Sequence, residues 1–400
     1  MTVEPKDSYP NEPLPVDAPK TDTKPMSRLG AMANPVHRRA RAMVRRKPFD
    51  YSAPEEAAPS LLDSYLVDPI ADARWAQLLD RDARATVFHS QGWLQALRQT
   101  YGYEPVVITT SSPSRPLANG MVFCEIRSWF TGSRLVSLPF SDHCEPLVEA
   151  EDPGEIAHRP DSDQWRYIEL RPLDAAPAVG PRGFHEAQKF CLHRLDLSPT
   201  MDEIFHRFHN DCIRRKIRKA EKEHVVCEEG NNPALLDSFY KLMLRTRRRH
   251  RLPPQPKSWF RNLSKFLPDN IKIRVASKDG QPIASILTFH YKNKFIYKYG
   301  CSDERYHRFG GTQLLLWKAI QEAKNKNCSE FDLGRTEWEN SGLRRFKDRW
   351  GAIGTPLTYW RFQPGKSPTD HEHNFARRIL RFCPPLLLEA AGRTFYRHIG

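Results

Sequence analysis

The chain has 400 residues, 39% hydrophobic and 28% charged, enough for a sizeable core and against disorder throughout. Lys and Arg number 62 against 48 Asp and Glu, and the net charge of +14 favours anionic partners: nucleotides, nucleic acid, acidic glycans or anionic lipid. No apolar run reaches about 18 residues, which excludes a spanning helix, and the eight cysteines form no Cys-x-x-Cys, which argues against a disulfide scaffold or a structural zinc.

Residues 1–60 are rich in Pro, Asp, Lys, Ala and Ser and read as a disordered basic tail. Within it, residues 28–47 hold seven Lys/Arg and no acid, mixed with Met32, Met43 and Val44, a composition suited to an acidic surface. The first residues lack the apolar stretch of a secretory signal, so a cytoplasmic protein is expected. Residues 61–190 read as a first globular half. It has a short strand at 64–67, a helix at 71–79 and a second helix that Ser90 caps and Gly102 stops. Strand-like runs follow at 105–110, 121–126, 134–140 and 165–170.

Residues 191–362 repeat that order. A strand at 193–197 precedes Thr200 and Glu203, which form a capping box for a helix carrying Ile204, Phe205, Phe208, Cys212, Ile217 and Ala220. Asn232-Pro233 starts another helix, a cap followed by proline. A three-stranded meander is predicted over 271–276, 283–291 and 294–299, then a helix over 312–324 after Gly310-Gly311. A strand at 330–333, a helix at 342–350 and a strand at 356–362 close this half. Residues 363–400 alternate arginines with large apolar residues, broken by Pro384-Pro385, and read as an amphipathic segment able to touch a membrane surface or pack back on the body.

Four groups of residues could carry chemistry. Asp142, His143, Cys144 and Glu145 follow a predicted strand; His143 could take a proton from an attacking amine, oriented by Asp142 or Glu145. Asp142 could equally cap its own loop. Gly310, Gly311 and Thr312 lead a strand into a helix, where bare amides and the helix N-terminus suit a phosphate. A tight turn needs glycine there just as well. Arg215 and Arg218 belong to a basic helix face able to hold an anionic donor or acceptor, or simply to be solvated. Lys347 lies between Phe346 and Trp350, which could hold its stem while the ammonium reaches a cleft, or it could be a surface lysine.

The order of meander, glycine turn, helix, strand, helix and strand is that of the GNAT acyltransferase core. Further segments resemble the acetyltransferase-like branch of the FemAB-related transferases, a GNAT-like family with two tandem halves. They are Phe88–Leu94, Leu138–Leu147, Arg215–Ala220, Tyr299–Asp303, Phe331–Arg335 and Gly342–Gly351. The resemblance covers about 62–362. It implies an α/β fold of two GNAT-like halves, each a mixed, mostly antiparallel sheet flanked by helices, with the last strand returning to the first half. It also implies acyl transfer to an amine, the acceptor being a small or lipid-linked sugar of the cell envelope or of a polysaccharide, handled at the inner face of the membrane. Acyl-CoA is the expected donor and aminoacyl-tRNA the alternative; no metal is expected. In that family the lysine matching Lys347 stabilises developing negative charge, and Tyr299, Asp332 and Arg335 fall in segments expected to meet substrate. A protein that binds nucleic acid or membrane without catalysis is the reading from another class, though no RRM, KH, helix-turn-helix or zinc-finger signature is present.

Overall fold

The computed structural model describes residues 64–128, 132–149, 153–157, 165–173, 180–363 and 396–398. The expected tail over 1–60, and the amphipathic segment apart from 363 and 396–398, lie outside them. β1 (Tyr65–Val67) and α1 (Ala73–Arg81) come first. α2 (Gln91–Tyr101) starts where the Ser90 hydroxyl accepts the Trp93 amide and ends at Gly102. β2 (Glu104–Thr109), β3 (Met121–Ile126) and β4 (Arg134–Val136) make a meander, followed by α3 (Pro153–Ala157) and β5 (Ile168–Leu170).

The long strand β6 (His185–Asp196) leads to α4 (Met201–Arg207) and α5 (Arg215–Lys222). β7 (Val226–Gly230), α6 (Pro233–Arg249) and α7 (Lys257–Phe266) precede the second meander of β8 (Ile271–Lys278), β9 (Gln281–Tyr291) and β10 (Lys294–Ser302). Last come α8 (Gly311–Asn325), β11 (Glu330–Glu337), α9 (Ser341–Asp348) and β12 (Ile353–Phe362).

α3, β7 and α7 have no counterpart in the sequence reading, and three of the predicted elements take a different course. The helix expected after Thr200 is interrupted: the capping box is present, but the chain leaves α4 at Phe208 and forms a wide helical turn over Asn210–Arg214 before α5. Phe208 there packs edge-on against Trp317 and Trp350, with ring centroids 5.5 and 5.0 Å away, and burying that ring decides against a continuous helix. β6 begins at His185, well before the predicted strand, because β12 pairs with it over His185–Arg194. β4 stops at Val136, short of the predicted end.

The strands form one sheet in the order β1-β2-β3-β4-β5-β12-β6-β11-β10-β9-β8-β7. From either edge the sequence of elements is the same: a short strand, a three-stranded meander, and a strand parallel to the last of the meander. The two central strands are exchanged. β6 follows β5 in the chain but pairs with β11, and β12 follows β11 but pairs with β5. The expected pair of sheets is therefore a single continuous one. One large apolar cluster joins α1, α2, α6 and α7 to the sheet. A second joins α4, α5 and α8 to the opposite face.

Candidate active site

β10 and β11 are parallel, yet their ladder runs only over Lys294–Ile296 and Glu330–Asp332, while both strands continue for several residues beyond it. Each carries a bulge where the ladder ends. On β10, Tyr297 pairs with Thr288 and Tyr299 with Leu287, so Lys298 is the extra residue. On β11, Asp332 pairs with Arg194 and Arg335 with Leu192, so one residue of the Leu333-Gly334 pair is extra. A bulge bends its strand and ends regular pairing. Two bulges side by side therefore open a gap between the parallel strands.

The loop after β4 fills the mouth of this gap. Lys298 Nζ donates to Asp142 Oδ1 at 2.8 Å, and Arg335 Nε lies 3.5 Å from the same oxygen. Burial alone would raise the Asp142 pKa, but the Lys298 ammonium and Arg335 guanidinium outweigh it and hold the carboxyl below its ordinary value. The Tyr359 hydroxyl donates to the Asp142 carbonyl at 2.6 Å, fixing the loop from β12. His143 Nε2 is 3.1 Å from Asp332 Oδ2, and its ring meets Phe88 edge-on at 5.6 Å. His143 Nδ1 is buried and has no hydrogen-bond partner among the described residues. A small cavity of about 10 Å³ borders His143 and Asp332.

Arg335 is the half-open member of the group, 29% exposed, with its guanidinium 4.2 Å from the centre of the Phe190 ring and 5.0 Å from that of Tyr359. Cation–π contacts of this kind hold an arginine while leaving N–H donors free. Behind the gap, Lys347 rises from α9 on the other face and donates to the carbonyls of Gly334 at 2.6 Å and Arg335 at 3.1 Å. It is 3% exposed, and burial lowers its pKa to about 8 although Asp142 and Asp332 oppose the shift. Three cations, Lys298, Arg335 and Lys347, thus stand around two carboxylates, Asp142 and Asp332.

The structure brings together Asp142, His143, Asp332, Arg335 and Lys347, drawn from two distant stretches of the chain. The other candidates lie elsewhere. Tyr299 belongs to the core: it is 8% exposed, and its hydroxyl accepts the Trp259 indole N–H at 3.0 Å. Glu145 uses Oε2 to accept the Leu173 amide at 2.6 Å, a loop brace. Cys144 faces away from His143, with Sγ 3.4 Å from His89 Nε2, and burial pushes its thiol up to about 12.

Gly310 is left-handed (φ +73°), and a Cβ there would come 2.3 Å from the Lys216 carbonyl of α5, so this glycine is required by packing. A Cβ on Gly311 would meet Ile283 and Ala276. α8 starts there without a side-chain cap, and Thr312 is in its first turn. Arg215 is 73% exposed and lies 3.6 Å from Asp211; Arg218 stacks on Phe205 at 5.6 Å. Both are on α5, which abuts the α8 start, and none of the bonds described above joins them to the Asp142–Asp332 group.

Lys298 escaped the sequence reading. Its signal was a lysine inside an aromatic strand, Phe295-Ile296-Tyr297-Lys298-Tyr299, where a charge has to find a buried partner. A second group, Cys191, His193 and Asp348, lies on the α9 face. Cys191 Sγ at 3.8 Å and Asp348 Oδ1 at 3.1 Å both approach His193 Nε2, so the ring cannot relay a proton from one to the other. Among the described residues, no three His, Cys, Asp or Glu side chains are grouped to hold a metal ion. No described helix is long and apolar enough to cross a membrane.

The sequence over residues 208–348, which spans both bulged strands, the α8 turn and Lys347, matches the acetyltransferase (GNAT) domain family. Residues 208–348, about a third of the chain, thus resemble a GNAT acetyltransferase domain. The crystal structure of FemX superposes on this chain with a TM-score of 0.60 at 11% identity, covering 80% of this chain and all of FemX. A conserved protein of unknown function from Bacteroides thetaiotaomicron gives a TM-score of 0.50 at 10% identity, covering 72% of this chain and 96% of its own. A tandem GNAT protein from the clavulanic acid biosynthesis pathway gives 0.46 at 10% identity over 76% of this chain and 100% of its own. No curated protein matches the sequence. The likeness to FemX, at this identity, shows that the two share an α/β fold.

Proposed function

We propose that the protein moves an acyl group from an acyl-CoA to an amine in the gap between β10 and β11. The observation that carries this reading is the pair of facing bulges, inside the GNAT domain, that separate these parallel strands beside His143, Asp332, Arg335 and Lys298. Attack of an amine on a thioester carbonyl creates an oxyanion and leaves a proton to be taken from nitrogen. His143, with Nε2 on Asp332, accepts that proton at the unpartnered Nδ1. The half-open Arg335 guanidinium beside Asp142 offsets the oxyanion until the carbon–sulfur bond breaks and the thiolate leaves with a proton.

The donor's phosphates are assigned to the uncapped start of α8 at Gly310–Thr312, beside the cations of α5 that include Arg215 and Arg218. The acceptor is an amine on a sugar-containing precursor of the cell envelope or of a polysaccharide, small or lipid-linked. It is met on the cytoplasmic side, with the basic segments resting on anionic lipid. Aminoacyl-tRNA is a second donor reading, favoured by a specific feature. The end of α6 and the turn before α8 carry Arg245, Arg248, Arg249, Arg305 and Arg308, close enough for Arg245 to bond Asp303 at 2.5 Å and Arg249 to approach Glu304 at 3.6 Å. Native mass spectrometry of the full chain with coenzyme A and with aminoacyl-tRNA separates the two. A one-to-one coenzyme A complex that weakens in Thr312→Asp supports the acyl-CoA reading. Retention of tRNA alone moves the donor to RNA, and retention of neither rejects both.

A further inference from the structure

Residues three apart in a regular strand face opposite sides of the sheet. Asp332 and Arg335 are three apart, yet Asp332 meets His143 and Arg335 meets Asp142 on the same side. The bulge between them makes this possible. It also takes main-chain groups out of the regular ladder, and buried carbonyls need another donor. Lys347 supplies it from the opposite face, 2.6 Å from the Gly334 carbonyl and 3.1 Å from that of Arg335.

We infer that Lys347 is a positioning residue: its ammonium pins the Gly334 bulge and so holds the His143–Asp332 and Arg335–Asp142 pairs in place for the reaction. Gly334 is gripped at both ends of its backbone. Its amide donates to Asp332 Oδ1 at 2.6 Å while its carbonyl accepts from Lys347. Its φ of +76° suits glycine, and a Cβ would stand 3.1 Å from Asp142 Oδ2, so the segment has little room to settle otherwise. Two of the three ammonium hydrogens are spent on these carbonyls, and the side chain is buried. Lys347 therefore acts on the reaction through the bulge. The inference rests on the reading of His143 and Asp332 as the reactive pair, but the pin itself can be measured without any substrate.

The experiment compares the full-length protein with Lys347→Met and Lys347→Arg, the second keeping a cation with several donors. Hydrogen exchange is followed at the Gly334 amide and at the Trp259 indole, which bonds Tyr299 in the core. The ring nitrogens of His143 are followed by ¹⁵N NMR. Lys347→Met is expected to speed Gly334 exchange at least tenfold and to move the His143 signals, with Trp259 changed less than twofold; Lys347→Arg is expected to restore both. Equal acceleration at Gly334 and Trp259, or unchanged Gly334 and His143 signals, overturns the inference. If Lys347→Met does not fold, the unmodified protein decides: a coupling across the hydrogen bond from Lys347 Nζ to the Gly334 carbonyl carbon supports the pin, and its absence overturns it. Failure to find acyl transfer leaves these readouts untouched. Lost acyl transfer with an intact bulge in Lys347→Met would instead make Lys347 a direct catalyst and leave the acyl-transfer reading standing.

Discussion

Lys347 sets a pH dependence whose sign follows from its burial. Its folded pKa of about 8 lies below the ordinary lysine value of about 10.4, so between those values the unfolded chain binds more protons. The penalty is full below about pH 8 and fades as pH rises through that window, so this residue's contribution makes the protein more stable toward pH 10. Relative to Lys347→Met, the unmodified protein should gain on the order of 3 kcal/mol between pH 7.5 and 10.5, measured by urea denaturation at each pH. A flat difference would show that the ammonium is not buried. Glu169 works the other way. Burial would raise its pKa, but Arg171 and Arg361 outweigh that and hold it down to about 2. Its contribution is present above the ordinary glutamate range and is lost as pH falls toward 2. Arg171→Met leaves one cation fewer against a buried carboxylate and should cost about 3–5 kcal/mol. Single residues were legible where types cluster in sequence, as at Asp142-His143. They were not where a role depends on a partner 189 positions away, as for His143 with Asp332.

The bulges and the α8 turn are features of elements. On the sequence alone, Gly310→Asp reads as a direct probe of the donor site. With a Cβ 2.3 Å from the Lys216 carbonyl, it is a packing defect first, and even Gly310→Ala should cost about 1–3 kcal/mol in a thermal melt. Thr312→Asp is the cleaner probe because its two effects have opposite signs. A carboxylate in the first turn of α8 should leave stability unchanged or raise it by about 0.5 kcal/mol, while repelling the donor's phosphates. Lower stability together with unchanged donor affinity would remove the α8 start from the site. Helix ends were readable because caps are local: Ser90, Thr200 and Asn232 all cap as their side chains suggest. The bulges were not, because an extra residue is defined only against the partner strand.

At the scale of the whole molecule, the exchange of β6 and β12 joins the two halves into one sheet. Calorimetry of residues 59–400 should therefore show one cooperative transition; two well-separated transitions would mean that the exchanged strands contribute little. The likeness of the halves was visible in the order of their elements. The return of β12 to the first half was expected from the family resemblance alone and is what the structure has, since nothing in the sequence of β12 itself distinguishes β5 from β11 as its neighbour. The charge of +14 predicts a further property of the whole chain. Affinity for the anionic donor should fall as salt rises, and less steeply when Arg215 and Arg218 are both changed to Glu. An unchanged salt dependence in that variant would return α5 to the role of a solvated face.

The most direct measurement is turnover: the full-length protein and Asp332→Asn, each with acetyl-CoA and longer acyl-CoAs and a set of aminosugar acceptors, followed by free-thiol release and by the mass of the acceptor. Acyl transfer at the gap between β10 and β11 requires thiol release matched by an acceptor that gains the acyl mass, and a fall of about 10²–10⁴ in Asp332→Asn, the range contributed by the proton acceptor, His143, that Asp332 orients. Matched turnover that survives in a folded Asp332→Asn protein would contradict the assignment of this site.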